Sequence, residues 1–265
     1  MMDIDFTGKN ILVTGAAGFG VGVGICEAVV AAGGNLIIND LDEEKAKDAA
    51  NKYPNAIAAP GDISQARDVK KIFEKVNGQC GVVHGLVNNA GIGLSKKAHL
   101  AEEQEFDNLY DVDVRGIWLM SKTFVKQLLA HKAVGNIVNI SSVHAQATMS
   151  KYAIYSSAKS AVNGLTRGMA LELGELGIRC NSVAPGYIHA EQNLSLISTW
   201  TDDPEQWVED YKKEYQSLKH TVSARDCGNA VIFLLSDLSR SITGQNIGVD
   251  AGFSNMLFKN SFVSE

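Results

Sequence analysis

A chain of 265 residues with 45% hydrophobic and 20% charged side chains can bury a full α/β core without help from disulfides or metal. Its net charge of −6 excludes nucleic acid as a main partner, because phosphate binding needs clustered Lys and Arg. No apolar run approaches the about 18 residues of a membrane span and no signal-like leader opens the chain, so no membrane partner and a cytoplasmic location are expected.

Short β-branched runs alternate with longer helical segments. Strands are predicted at 10–14, 35–39, 56–59, 83–88, 136–140, 179–183 and 246–249. Most are nearly continuous in Val, Ile and Leu, the mark of strands covered on both faces. Helices are predicted near 23–32, 43–52, 66–77, 103–131, 152–174 and 225–236. The second opens on Asp42, Glu43 and Glu44, acidic groups at the positive end of its dipole. Alternation at this spacing predicts an α/β fold, a doubly wound parallel sheet with right-handed crossovers, in one domain over 1–265. Only 187–222 breaks the rhythm. It carries Trp200, Asp202, Asp203, Pro204 and Trp207 with a helical pattern near 204–218, and reads as a substrate lid or else as a surface helix with no catalytic part. Cys26, Cys80, Cys180 and Cys227 show no CxxC or zinc spacing, so they read as small apolar residues in a reducing compartment and no metal site is expected.

The first strand runs into Thr14-Gly15-Ala16-Ala17-Gly18-Phe19-Gly20-Val21-Gly22, with a helix following. Gly15, Gly20 and Gly22 let the backbone turn sharply and approach a pyrophosphate, whose charge then sits at the helix N-terminus. A Gly-rich turn alone is a weak signal; its context strengthens it. Asp40 closes the second strand, where a carboxylate accepts the ribose hydroxyls of an adenosine and repels a 2′-phosphate, and Leu41 rather than a basic residue follows. Both points favour NAD over NADP. Asp62 and Ile63 follow the third strand, where Asp62 can bond the adenine amino group, and Asn88-Asn89-Ala90-Gly91 follows the fourth. These are successive strand ends, where open α/β sheets bind their ligands.

Tyr155 and Lys159 lie one turn apart on a predicted helix and share a face. A free Tyr titrates near ~10 and is a poor base at neutral pH. An ammonium beside it, and the positive nicotinamide, favour the phenolate. Ser142 ends the fifth strand, where its hydroxyl can bond a substrate oxygen as charge develops. A YxxxK pair by itself is usually a solvated helix face; the upstream Ser at a strand end makes this a proton-transfer site.

With these segments the chain resembles the short-chain dehydrogenase/reductase family over almost its whole length, from Gly8 to Gly252. The resemblance rests on the glycine loop, Asn88-Asn89-Ala90-Gly91, Ile140-Ser141-Ser142, Tyr155-Ser156-Ser157-Ala158-Lys159, Asn181-Ser182-Val183-Ala184-Pro185-Gly186 and Thr243-Gly244-Gln245 with Asp250-Ala251-Gly252. It implies a Rossmann-like seven-stranded sheet with helices on both faces. It also implies that Tyr155 is the acid/base, that Ser142 orients substrate, and that Lys159 binds the nicotinamide ribose. By the same resemblance Pro185 and Gly186 border the nicotinamide, Ile188 meets its carboxamide through the backbone, and the assembly is a homotetramer or homodimer.

Three departures stand out. Family loops read TG, three residues, then GxG, whereas four residues separate Gly15 from Gly20. The family's fourth catalytic residue is an Asn in an Asn-x-x-Gly segment, and here Asp113-Val114-Arg115-Gly116 takes its place. An added carboxylate near Lys159 would disturb the proton relay unless Arg115 neutralised it. Ala190 stands where a Thr often contacts the cofactor.

Candidate substrate residues are Ser142, His144, Tyr155 and Tyr187, with Gln146, Met149, His189, Trp200 and Trp207 as weaker ones. Ser160, Gly164 and Gly168 recur on the Tyr155 helix and allow close approach, either of a second subunit or of the chain's own preceding helix. The expected function is NAD-dependent interconversion of a secondary alcohol and a ketone. Two alternatives are an NADH-dependent reductase of activated ketones such as ketoacyl thioesters, and a regulator that holds NAD without turnover.

Overall fold

The computed structural model describes residues 4–262. Seven strands form one parallel sheet: β1 Asn10–Thr14, β2 Asn35–Asn39, β3 Ile57–Ala58, β4 Gly85–Asn88, β5 Asn136–Ile140, β6 Arg179–Pro185 and β7 Asn246–Val249. Their order across the sheet is β3-β2-β1-β4-β5-β6-β7. The chain winds outward from β1 to β3, then returns to lay β4 on the other side of β1. That reversal opens a crevice above the C-terminal ends of β1 and β4, where such sheets take their ligands.

Alternate residues of each strand supply two cores. Leu12, Ile37, Leu86 and Ile137 pack on one face with Ile72, Phe73, Phe124 and Leu128. These come from helices α3 (Ala66–Cys80) and α5 (Ile117–His131). Val13, Ile38, Val87 and Val138 pack on the other with Ile25, Val29, Val231 and Leu234. Those belong to α1 (Val21–Ala31) and α9 (Ala224–Leu235). Covering on both faces explains why the strand sequences are continuously apolar. The remaining helices are α2 (Glu43–Ala50), α4 (Glu103–Tyr110), α6 (Ala153–Gly174), α7 (Glu191–Ile197) and α8 (Pro204–Tyr215).

Differences from the sequence reading have local causes. β4 starts at Gly85 because the Gln127 side chain takes both backbone groups of Val83. β6 runs on to Pro185 because β7 pairs alongside it as far as Val249. The predicted helix over 103–131 is two helices joined by a π-helical turn, Asp111–Gly116.

A buried polar network ties the sheet to its helices below the crevice. Asn88 donates to Ser121 Oγ and Asn139 Oδ1 at 3.0 and 2.8 Å, and Asn139 donates to Thr166 Oγ1 at 2.9 Å. Each amide is fully buried, so an unpaired partner would be costly and the network fixes β4, β5, α5 and α6 relative to one another.

Helices α1 and α9 meet through glycine. A Cβ on Gly228 would lie 2.2 Å from the Gly24 carbonyl oxygen, and one on Gly24 would lie 2.1 Å from the Ala224 backbone. Gly228→Ala should therefore destabilise the protein by about 3 kcal/mol in urea unfolding. A loss below about 1 kcal/mol would show that the two helices separate freely.

Candidate active site

The cofactor half forms where β1 ends. Asn39 O accepts the Ala16 N–H at 3.2 Å, and Asp40 Oδ2 accepts the Ala17 N–H at 3.1 Å. This half of the loop is thus tied to the end of β2. Phe19, within the longer-than-usual stretch 16–19, stands outward with 72% of its surface exposed. Gly20, at φ +90°, then turns the chain into α1, a conformation that favours glycine. No side chain caps α1 and its first turn holds no acidic residue. An added Cβ at Gly18 or Gly20 would meet nothing within 4 Å. An open glycine face over an uncapped helix N-terminus fits a pyrophosphate.

The loop after β4 braces this cradle. Thr14 Oγ1 accepts the Asn89 and Ala90 N–H groups, each at 3.0 Å. The Asn89 side chain donates to the Thr14 and Gly15 carbonyls at 2.9 and 3.0 Å. Its amide is therefore spent on the glycine loop rather than offered to the crevice. Thr14, which the sequence reading did not single out as a site residue, is the hub of this contact. A Cβ on Gly15 would strike Ala90 at 2.6 Å. Asp62 Oδ1 accepts the Ser64 N–H at 2.8 Å, and Gly61 N–H bonds the Asp40 carbonyl, which places the two carboxyl-bearing strand ends side by side. Ile63 is buried beside them.

The catalytic half forms around the N-terminal turns of α6. Ser142 lies two residues past β5, at the start of the short helical turn Val143–Ala145, and its Oγ accepts the His144 N–H at 3.2 Å. Ser156 Oγ donates to the His144 carbonyl, and Ser160 Oγ to the Ala145 carbonyl, so the turn after β5 is fastened to α6. His144 lies edge-on to Tyr155 at 5.5 Å between ring centres and stacks on Tyr152 at 4.6 Å. Tyr152, missed in the sequence, completes an aromatic group around Tyr155. Burial pulls the His144 pKa below its ordinary value, which keeps the ring neutral near pH 7.

Lys159 lies 96% buried, its ammonium 5.6 Å from the Tyr155 ring centre and donating to the Ile140 carbonyl at 3.3 Å. Burial alone would lower its pKa, but the negative forms of Tyr155 and Asp113 and the hydrogen bond to Asp113 together raise it, so the group stays charged. Asp113 is fully buried in the π-helical turn; its Oδ1 accepts the Ile92 N–H at 2.8 Å and its Oδ2 sits 2.9 Å from Lys159 Nζ. Oδ2 has no partner besides this ammonium. Arg115, offered by the sequence as a possible neutraliser, does not serve this carboxylate: its guanidinium bonds the Ser64 carbonyl, and Lys159 is the counter-ion.

At the end of β6, a Cβ on Gly186 would strike Asp250 at 2.7 Å, and Pro185 closes the strand. Ile188 is buried and its carbonyl accepts from Asn193 on α7, at 2.7 Å. The Tyr187 hydroxyl is 3.5 Å from His189 Nδ1, and its ring meets Trp207 and Tyr211 edge-on at 5.8 and 5.6 Å. Burial, with Glu205 adding to it, pushes the Tyr187 hydroxyl up to about 12. Trp207 and Tyr211, stacked along α8 at 5.4 Å, both meet the Tyr187 ring and so anchor α8 to it. In 187–222 the sequence located α8, whose Asp203 cap accepts the Gln206 N–H, but not α7. Among the described residues no helix is long and apolar enough to cross a membrane.

A family model described as enoyl-(acyl carrier protein) reductase matches residues 15–254. The L-xylulose reductase of Caenorhabditis elegans is 33% identical over 258 residues, covering 95% of this chain and 98% of that protein. Among solved structures, a gluconate 5-dehydrogenase from Burkholderia cenocepacia, in complex with NADP and tartrate, superposes with a TM-score of 0.87 at 28% identity, covering 96% of this chain and 98% of that one. A 3-ketoacyl-(acyl-carrier-protein) reductase from Brucella melitensis, complexed with NADH, does so at 0.83 and 30% identity, covering 94% and 100%. With the sheet order, the glycine cradle and the Ser142, Tyr155 and Lys159 cluster, these likenesses mean that the chain belongs to the short-chain dehydrogenase/reductase family and is an oxidoreductase.

Proposed function

We propose that this oxidoreductase uses NAD to interconvert a secondary alcohol and a ketone, with Tyr155 as acid/base. The observation that carries the reading is a buried ammonium, Lys159, one turn from Tyr155 and beside the strand end that bears Ser142. Bound NAD supplies the hydride acceptor for the carbinol carbon. In the oxidative direction the Tyr155 phenolate takes the alcohol proton while the Ser142 hydroxyl holds the substrate oxygen. Lys159 favours the phenolate and bonds the nicotinamide ribose. Gly15, Gly20 and Gly22 receive the pyrophosphate, Asp40 the adenosine ribose, and Asp62 with Ile63 the adenine. Ala90, Gly91, Pro185, Gly186 and Ile188 border the nicotinamide side, with Asn89 bracing the loop. His144 and Tyr187 line the substrate side, and 187–222 closes over it.

Preference for NAD over NADP rests on Asp40, whose carboxylate would repel a 2′-phosphate, and on Leu41, exposed beside it where a phosphate would need a cation. The likeness to xylulose and gluconate enzymes supports a small polyhydroxylated substrate. A second reading, reduction of ketoacyl thioesters with NADH, is favoured by the likeness to the Brucella reductase. Assaying polyols and sugar acids against ketoacyl thioesters separates the two. The reading also carries a homotetramer in the cytoplasm. In support of assembly, a Cβ on Gly164 or Gly168 would meet nothing within 4 Å, so the chain's own preceding helix does not pack there. In support of the compartment, all four cysteines are free thiols.

Tyr155→Phe should cut turnover on the order of 10³-fold while leaving NAD affinity intact by fluorescence titration. Retained turnover would discard Tyr155 as the acid/base. Asp40→Ala should weaken NAD about tenfold or more and raise activity with NADP relative to NAD. An unchanged cofactor ratio would refute the ribose assignment.

A further inference from the structure

The carboxylate of Asp113 is held by three elements at once. The π-helical turn Asp111–Gly116 aims it inward. The Ile92 N–H, just past β4, fixes Oδ1 at 2.8 Å. On the facing helix, Lys159 Nζ sits 2.9 Å from Oδ2. Helix α4, which leads into the turn, is itself tied to α6 by the Tyr110 hydroxyl and Ser157 Oγ at 2.9 Å. Gly91 makes room for the pair: a Cβ there would lie 3.0 Å from Oδ2 and 3.2 Å from Nζ. An amide at 113 would still accept from Ile92, so what the carboxylate adds at this position is charge.

The other groups around Lys159 do not duplicate that charge. On α6 the neighbours are Tyr155 and, at its N-terminal end, Tyr152. The turn after β5 brings His144, which burial keeps neutral near pH 7. β5 presents the Ile140 carbonyl, and residues 89–92 carry no titratable side chain. Arg115 points away to Ser64. Among the described residues, Asp113 is thus the one carboxylate paired with this ammonium.

We infer that Asp113 is a positioning residue that holds the Lys159 ammonium against the Gly91 turn and sets the working pH range of the acid/base centre higher than a neutral side chain would. An ammonium favours phenolate on Tyr155, and a carboxylate in contact with that ammonium cancels part of its field. Alcohol oxidation needs the phenolate, which loses favour in acid. A carboxylate against the ammonium weakens its pull on that phenolate, and an uncharged side chain there restores it. The inference rests on the reading of Tyr155 as acid/base.

The test is the pH profile of kcat/KM for alcohol oxidation at saturating NAD, for the unaltered enzyme and Asp113→Asn. The acidic limb should move to lower pH by about one unit, with the KM for NAD little changed. A limb at the same or higher pH overturns the inference, and so does a raised KM for NAD with an unmoved limb, since that would confine Asp113 to cofactor placement. Should Asp113→Asn not fold, Asp113→Ser is measured against the same criterion. Tyr155→Phe separates the layers. Retained turnover there sinks the acid/base reading and the inference together; lost turnover with an unmoved Asp113→Asn limb sinks the inference alone.

Discussion

The site is organised around a buried cation. The Lys159 ammonium is almost wholly removed from water, and such a group persists in charged form only when opposite charge and hydrogen bonds surround it. Here the Asp113 carboxylate, the Ile140 carbonyl and the neighbouring Tyr155 meet that need. Each comes from a different part of the fold: a turn between two helices, a strand end, and the preceding turn of the same helix. The sheet and its polar network of Asn88, Asn139 and Thr166 hold these parts in register. A loss of register would strand a charge, so the chemistry and the stability of this region depend on one arrangement.

The cofactor half follows a different logic, in which small residues and backbone groups do the positioning. Asn89 fastens the glycine loop through both the Thr14 and Gly15 carbonyls, and Asp40 fastens it from the other side through Ala17. The loop is braced from β2 and β4, and its Phe19 stands at an exposed tip.

Much of this was legible in the sequence because the signals were local or simply periodic. Strands buried on both faces read as apolar runs, and Tyr155 and Lys159 read as a pair because one helical turn joins them. What escaped were effects of position without period. The pattern over 103–131 is helical throughout, so nothing marked the π-helical turn that rotates Asp113 inward and Arg115 outward. The sequence set Asp113 near Lys159, but without this turn it could not exclude Arg115 as a second counter-ion. Gln127 capping Val83 and Tyr152 stacking on His144 depend on distant segments meeting, which spacing does not encode. The short helix α7 was hidden because its few residues carry too little periodicity to register.

If the buried charge pair is the keystone, removing the cation should leave Asp113 as a stranded anion. The direct measurement is the unfolding free energy of Lys159→Met at pH 8 and pH 5. A deficit of about 3–5 kcal/mol at the higher pH, shrinking in acid as the stranded carboxylate takes up a proton, is the predicted result. A variant as stable as the parent at pH 8, or a deficit that does not change with pH, would contradict the account.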